Sequence, residues 1–218
     1  MNEIGPSKKK PKYGVVRHDT IVLGIDQSYE RCGMSIAADG ELLHVGSLDL
    51  SKLKTKTEKR RAVQEAIRTQ AKRIVLRSAD SICVLERIRT FSQSFISVPY
   101  IQSMGAMNAL IVDTCDEFGI PVFSVNTKTW KSYVVGTSVP QDNDFGVPPE
   151  KWPTIQWVIE KGFEDSILRP VTGRKKKGTF IRGRKRWEYD NDAADSAGIA
   201  MFPFANNIDL EKMLKRES

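Results

Sequence analysis

The apolar and polar positions divide the chain into short β-rich runs and longer stretches of helical period. Thr20-Ile-Val-Leu-Gly-Ile-Asp26 is an apolar run that closes on a carboxylate, and residues 33–38 form a second. Asp39-Gly40 has the composition of a two-residue hairpin turn, so residues 41–47 are expected to return as a third, antiparallel strand. A helix is expected over 58–77, with Val63, Ile67, Ala71 and Ile74 on one face and Thr55-x-x-Glu58 as a capping box. Residues 81–86 make a fourth apolar run, again ending on an acid, Glu86. A helix of small and apolar residues follows at about 100–118, stopped by Gly119, and then a strand at 120–125. Beyond it lie a short helix around 129–135, a loop at 136–149, a helix at 152–161 and a closing helix at 191–201. The order βββαβαβα describes an α/β protein: an antiparallel start, extended by strands that are reached through helical crossovers and are therefore parallel.

Charge changes this picture in two places. The 218 residues carry 34 Lys+Arg against 27 Asp+Glu, a net charge of +7. The excess sits in residues 1–17 and in 169–186; the remainder of the chain is mildly acidic. The second segment holds Arg169, Arg174, Lys175, Lys176, Lys177, Arg182, Arg184, Lys185 and Arg186 and no acid, with Phe180 and Trp187 among or beside them. A solvated loop is the ordinary meaning of a charge run. Nine bases in 18 residues with interleaved aromatics instead read as a polyanion-binding stripe, a β-ribbon or arm turning at Gly173, Gly178 and Gly183.

The expected organisation is a basic tail at 1–19, one folded domain at 20–202 with a basic insertion at 169–190, and a polar tail at 203–218. No run approaches 18 apolar residues, so no membrane span is expected, and the basic N-terminus lacks the apolar run of a secretory signal. Cys32, Cys83 and Cys115 lie far apart, and His18 and His44 are the two histidines. That usage points away from a disulfide framework or zinc cluster and toward a reducing cytoplasm.

Four acids carry candidate chemistry. If the strands ending at Asp26 and Glu86 lie side by side and parallel, both carboxylates emerge at the carboxyl edge of the sheet, where open α/β sheets bind ligands. Asp192 and Asp195, at i and i+3, share one helix face. Docked against the strand ends, that face gathers four carboxylates that persist together only with compensating cations. Oxygen ligands without His or Cys favour Mg²⁺, with Mn²⁺ as a substitute, and two such ions suit phosphodiester hydrolysis. Taken singly, each acid has an ordinary role as turn, ion-pair or helix-end residue; the joint placement points to metal.

The same residues resemble RuvC-type Holliday junction resolvases of the RNase H-like superfamily. Ile-Val-Leu-Gly-Ile-Asp-Gln-Ser-Tyr-Glu-Arg-Cys-Gly (21–33) is similar to that family's opening strand and turn, and Val-Leu-Glu86 to its second acidic strand end. Pro-Val-Phe (121–123) with Lys131-Ser-Tyr-Val-Val-Gly136 resembles its next strand and helix, and Asn191-Asp-Ala-Ala-Asp-Ser-Ala-Gly-Ile-Ala200 its closing helix. The resemblance runs from about 20 to 202. It implies an RNase H-like mixed five-stranded sheet flanked by helices, and a homodimer that nicks four-way DNA junctions symmetrically with two Mg²⁺ per site. Asp26, Glu86, Asp192 and Asp195 would be the metal ligands, Lys131 a positively charged residue near the scissile phosphate, and Lys151 a match at the start of the following helix; Lys128 and Lys151 are also expected to contact DNA. No small-molecule cofactor and no membrane partner are implied, and the setting would be a bacterial or infected host cell.

The chain departs from the family at Gln27-Ser28, which replaces Pro-Gly. It departs again at Arg89, which stands where an aromatic is usual and which, with nearby Phe91, is expected to contact DNA, and in the basic insertion. These departures mark a divergent member, of the phage-encoded kind. Rival readings are a nuclease of the same fold acting on flaps, forks, single strands or RNA–DNA hybrids, a resolvase-like protein whose main task is RNA processing, and a junction-binding or architectural protein without catalysis. The dimer face is expected on the small-residue helix at 102–110, around Gly105, Ala106 and Ala109.

Overall fold

The middle of the molecule is β1 (Ile21–Asp26), whose residues are buried except for the partly buried Asp26 at its end. Its alternating side chains serve two layers: Leu23 and Ile25 face one core, Val22 the other. The computed structural model describes residues 20–78, 80–87, 97–136, 139–171, 178–182 and 185–207.

Antiparallel to β1 runs β2 (Arg31–Ala38), with Asp26 opposite Gly33. Asp39 and Gly40 both take positive φ (54° and 77°), the two-residue hairpin turn expected from their types. The expected third strand is divided into β3 (Glu41–His44) and β4 (Ser47–Asp49), both paired with β2. Val45 is buried in a different core between them, and the Gly46 carbonyl accepts the Met34 N–H. On the other side of β1 lie β5 (Ser81–Glu86) and β6 (Val122–Val125), each parallel to its neighbour. The sheet order is therefore β3-β2-β1-β5-β6, the five expected strands, with β4 as a short sixth.

One face is covered by α1 (Lys56–Val75) and α2 (Val98–Asp116). Val63, Ile67, Ala71 and Ile74 of α1 join Met107, Ile111 and Cys115 of α2 over Leu23, Ile25, Cys83 and Leu85. The capping box at the start of α1 is formed: Thr55 Oγ1 accepts the Glu58 N–H at 3.1 Å, and Glu58 Oε2 accepts the Thr55 N–H at 2.9 Å. Such a cap contributes about 1 kcal/mol. Cys32, Cys83 and Cys115 are free and buried.

The other face is built around α6 (Asn191–Met201). Every residue from Ala193 to Ala200 is buried, because α6 is covered on two sides. Ile199 packs on Val22, Val84 and Val125, while Ala193, Ala194 and Ala197 pack on an outer layer. That layer contains α4 (Trp152–Glu160), the short α5 (Glu164–Ile167), and a second sheet of β7 (Leu168–Pro170), β8 (Thr179–Arg182) and β9 (Lys185–Tyr189). The expected basic ribbon is the antiparallel β8–β9 pair; β7 and α5 had no clear sequence signal. The remaining short helix, α3 (Thr127–Trp130), runs on into a π turn at Lys131–Val135. The chain continues past the expected boundary at 202 as a 3-10 turn, Phe202–Asn207, in which Phe202 and Phe204 pack with Val22 and Trp130. Residues 1–19 and 208–218 lie outside the described residues. Among the described residues, no helix is long and apolar enough to cross a membrane.

Candidate active site

The parallel pairing of β1 and β5, with Ile25 opposite Leu85, brings the strand-end acids Asp26 and Glu86 to one edge of the sheet. Close approach of α6 supplies the other two. A Cβ on Gly33 would lie 1.9 Å from the Asp192 carbonyl oxygen, and one on Gly24 would lie 2.4 Å from both Ala200 N and Ser196 O. Backbone thus rests directly on backbone, an approach that only glycine permits. A hydrogen bond of 2.7 Å between the Ser35 and Ser196 hydroxyls pins the same interface inside the core.

The start of α6 is set by Asp190, whose Oδ1 accepts the Ala193 N–H at 3.1 Å. Its Oδ2 accepts from Arg31 at 2.7 Å and from the Ser47 hydroxyl at 2.6 Å. Asp190 and Arg31 were not among the residues singled out in the sequence, although an Asp two residues before the first helical acid is a recognisable N-cap signal.

Glu86 is held by α3: Thr127 Oγ1 donates to Glu86 Oε1, and Trp130 Nε1 donates to Oε2 at 3.2 Å. Gln27 Nε2 donates to the Glu86 carbonyl at 3.2 Å, tying the β1 and β5 ends together. The Trp130 ring is itself wedged against Gly198 of α6, where a Cβ would fall 2.3 Å from it. Trp130 therefore aims Glu86 while gauging its distance from the helix. In the sequence it is indistinguishable from any core tryptophan.

Asp195 is buried, at 3% exposure. Lys151, at the residue before α4, donates to its Oδ2 at 2.7 Å, and the buried Lys131 ammonium lies 3.5 Å from its Oδ1. Lys131 also donates to the Glu150 carbonyl at 3.4 Å and sits 5.2 Å from the centroid of the Trp130 ring. Lys131, expected at a scissile phosphate, is thus turned inward on the acids.

These charges act on one another. Burial, then the charges of Asp195, Glu86 and Asp192, raise the Asp26 carboxyl well above its ordinary range, against the opposing pull of Lys151. Burial and the charge of Asp190 push Asp192 up to about 6, with Asp195 adding and Lys151 and Arg31 opposing. For Lys151, burial works to lower the pKa, but the charge and hydrogen bond of Asp195, with Asp26 and Asp192, outweigh it and hold the ammonium above its usual value. The acids are short of counter-charge.

A pH dependence follows. Raised carboxyl pKa values mean that the folded chain binds protons more readily than the unfolded chain. The share of stability contributed by these two carboxyls is therefore fully present below the unfolded carboxylate range and is lost as the pH rises through the folded values, about 6 for Asp192. Melting in a chelator is expected at a higher temperature near pH 5 than near pH 7, and saturating Mg²⁺ should shrink the difference; calorimetry at the two pH values checks this.

The donor set suits a hard divalent cation: carboxylates alone, two of them with raised pKa, and a buried Asp195 Oδ1 that accepts no hydrogen bond. As the side chains stand, no group of three or more His, Cys, Asp or Glu among the described residues is gathered closely enough to hold an ion. Asp195 is engaged by lysines and Glu86 by Thr127 and Trp130.

Of the expected DNA contacts, Lys128 is exposed on α3 beside Thr127. Arg182 is exposed on β8 and paired with Asp165 (3.4 Å) and Glu164 (3.7 Å). Lys185 and Arg186 belong to β9, with Arg186 exposed. Arg89, Phe91, Arg174, Lys175, Lys176, Lys177 and Arg184 lie outside the described residues.

No family model and no curated protein matches the chain. Solved structures do. Thermus thermophilus RuvC superposes with a TM-score of 0.51 at 16% identity, over 84% of this chain and 92% of that one. T. thermophilus RuvC in complex with a Holliday junction substrate gives 0.51 at 14% identity, over 84% and 91%. The yeast mitochondrial Holliday junction resolvase gives 0.45 at 16% identity, over 88% and 79%. The RuvC likeness is one of fold: this chain shares the RNase H-like architecture.

Proposed function

We propose that this chain is a metal-dependent endonuclease that resolves four-way DNA junctions by nicking them symmetrically. The observation that carries the reading is geometric: parallel β1 and β5 end together on Asp26 and Glu86, and α6, resting on Gly24 and Gly33, carries Asp192 and Asp195 beside them. A protein that merely bound DNA would gain nothing from four acids beside phosphates. The fold it shares with RuvC, solved with a Holliday junction substrate, favours branched DNA over other nucleic acids.

In this reading Asp26, Glu86, Asp192 and Asp195 hold Mg²⁺, or Mn²⁺ in its place, two ions per site. The bound metal supplies Lewis acidity at the phosphodiester and makes water nucleophilic near neutral pH. The protein's own share is placement. Thr127 and Trp130 orient Glu86, Gly24 and Gly33 let α6 bring Asp192 and Asp195 to the strand ends, and Lys131, turned inward, offsets the charge of Asp195. None of the motifs supplies a histidine to activate a hydroxyl or thiol, so no covalent enzyme intermediate is invoked.

A homodimer would set two such sites on opposite strands of a two-fold symmetric junction. The outward side of α2 offers a face for it: Gln102, Gly105 and Ala109 are exposed, as are Val98 and Val112. Incubating purified protein with synthetic four-way junctions, flaps, forks, duplex and RNA–DNA hybrid, with and without Mg²⁺, tests the activity; mass in solution tests the dimer. Paired nicks in the junction are expected. Preferential cutting of flaps or hybrids would move the substrate class, and tight junction binding without any cleavage would leave a non-catalytic binder.

The basic segment would grip phosphates without reading bases. Replacing Arg174, Lys175, Lys176 and Lys177 by Gln is expected to weaken junction binding and lower the slope of log affinity against log salt, by roughly 0.9 for each phosphate no longer neutralised. The cleavage rate of the bound complex should stay near wild type. An unchanged salt slope would remove the segment from DNA binding.

A further inference from the structure

A carboxylate as enclosed as Asp195 needs groups that replace its lost water. Two lysines do so, and they differ in freedom. Lys131 is sealed in, its side chain 10% exposed, with its ammonium between Asp195 Oδ1, the Glu150 carbonyl and the Trp130 ring. Lys151, at the start of α4, makes the shorter contact, 2.7 Å, yet its side chain is 33% exposed. Two ammonium groups face four acids, and Asp195 Oδ1 still accepts no hydrogen bond. A divalent cation arriving at Asp195 would meet the Lys151 ammonium as a like charge a few ångströms away, and the two compete for one carboxylate.

We propose that Lys151 is the resident counter-ion of the carboxylate cluster, a positioning residue that holds Asp195 until a divalent cation displaces it. This rests on the metal-dependent reading above. Lys131 remains in place throughout, so one permanent and one exchangeable positive charge serve the same acid. Removing the exchangeable one has opposite effects on two quantities: the cation-free fold loses a partner for Asp195, while the cation loses its competitor. A residue with a merely structural role would weaken both.

The test is thermal unfolding of the full chain without DNA, titrated with Mg²⁺ alone, for wild type, Lys151→Met and Lys151→Arg. In chelator, K151M is expected to melt below wild type, and its half-saturating Mg²⁺ concentration to be lower by about tenfold or more. K151R, which keeps the charge, should titrate like wild type. A K151M midpoint equal to or above a responding wild type overturns the inference alone, as does a K151R midpoint that matches K151M, since charge would then not be what competes. If K151M is unfolded in chelator, folding on addition of Mg²⁺ supports the inference, and failure to fold at concentrations that saturate wild type overturns it. Indifference to Mg²⁺ in every protein removes the metal-dependent reading, and this inference with it.

Discussion

Asp26→Asn is expected to cut the cleavage rate on a four-way junction by at least about 10²–10³-fold, the scale of losing one preorganised charge-stabilising group. Junction binding should persist. The reasoning is local: Asp26 ends β1 beside the end of β5, and its carboxyl feels Asp195, Glu86 and Asp192 together. Asparagine keeps the shape and removes one charge from a crowded set. Because burial and repulsion already disfavour the ionised form of Asp26, the substitution is expected to leave the metal-free protein as stable as wild type or more so. Single-turnover cleavage, mobility-shift binding and a melting curve separate the three effects. Wild-type cleavage by D26N would take Asp26 out of the reaction.

The second large effect is expected at Gly33→Ala. The added methyl would stand 1.9 Å from the Asp192 carbonyl oxygen, 2.6 Å from its carbon and 2.9 Å from the Ser196 Cβ. Helix backbone is the obstacle, so no side-chain rotation relieves the clash; β2 and α6 must part. Overpacking a well-filled interior costs roughly 1–3 kcal/mol and occasionally more, and a backbone clash belongs at the upper end. For a chain of this length about 3 kcal/mol lowers the melting temperature by roughly 6–12 °C. The displaced helix carries Asp192 and Asp195, so any Mg²⁺-induced rise in melting temperature should shrink as well. A G33A protein that melts with wild type and responds fully to Mg²⁺ would show that α6 does not rest on β2 as described.

Both effects depend on how near α6 lies to the sheet, and the sequence could not supply that distance. It did disclose that α6 is a helix of small residues with acids three apart, that two β runs end on acids, and that the basic ribbon precedes the closing helix. Such features are written locally, in side-chain period, turn-forming pairs and capping residues, and need no knowledge of the rest of the chain. The split of the third strand was hidden because Val45 answers to a core contributed by Ile155, Ile167 and Tyr189, more than a hundred residues away. The roles of Trp130 and Thr127 were hidden for the same reason: an indole N–H and a hydroxyl acquire meaning only when β5 delivers the Glu86 carboxylate to them.

Lys131 and Lys151 show the division most plainly. As residue types they were legible as positive charges near the proposed chemistry; that both turn inward on Asp195 was decided by the packing of the π turn and of α4 against α6. By itself, then, the sequence determined which side chains carry charge and which local elements bear them. Only the tertiary structure decided which charges share a low-dielectric space, because that depends on the packing of segments far apart along the chain, made where glycine and alanine let backbones touch.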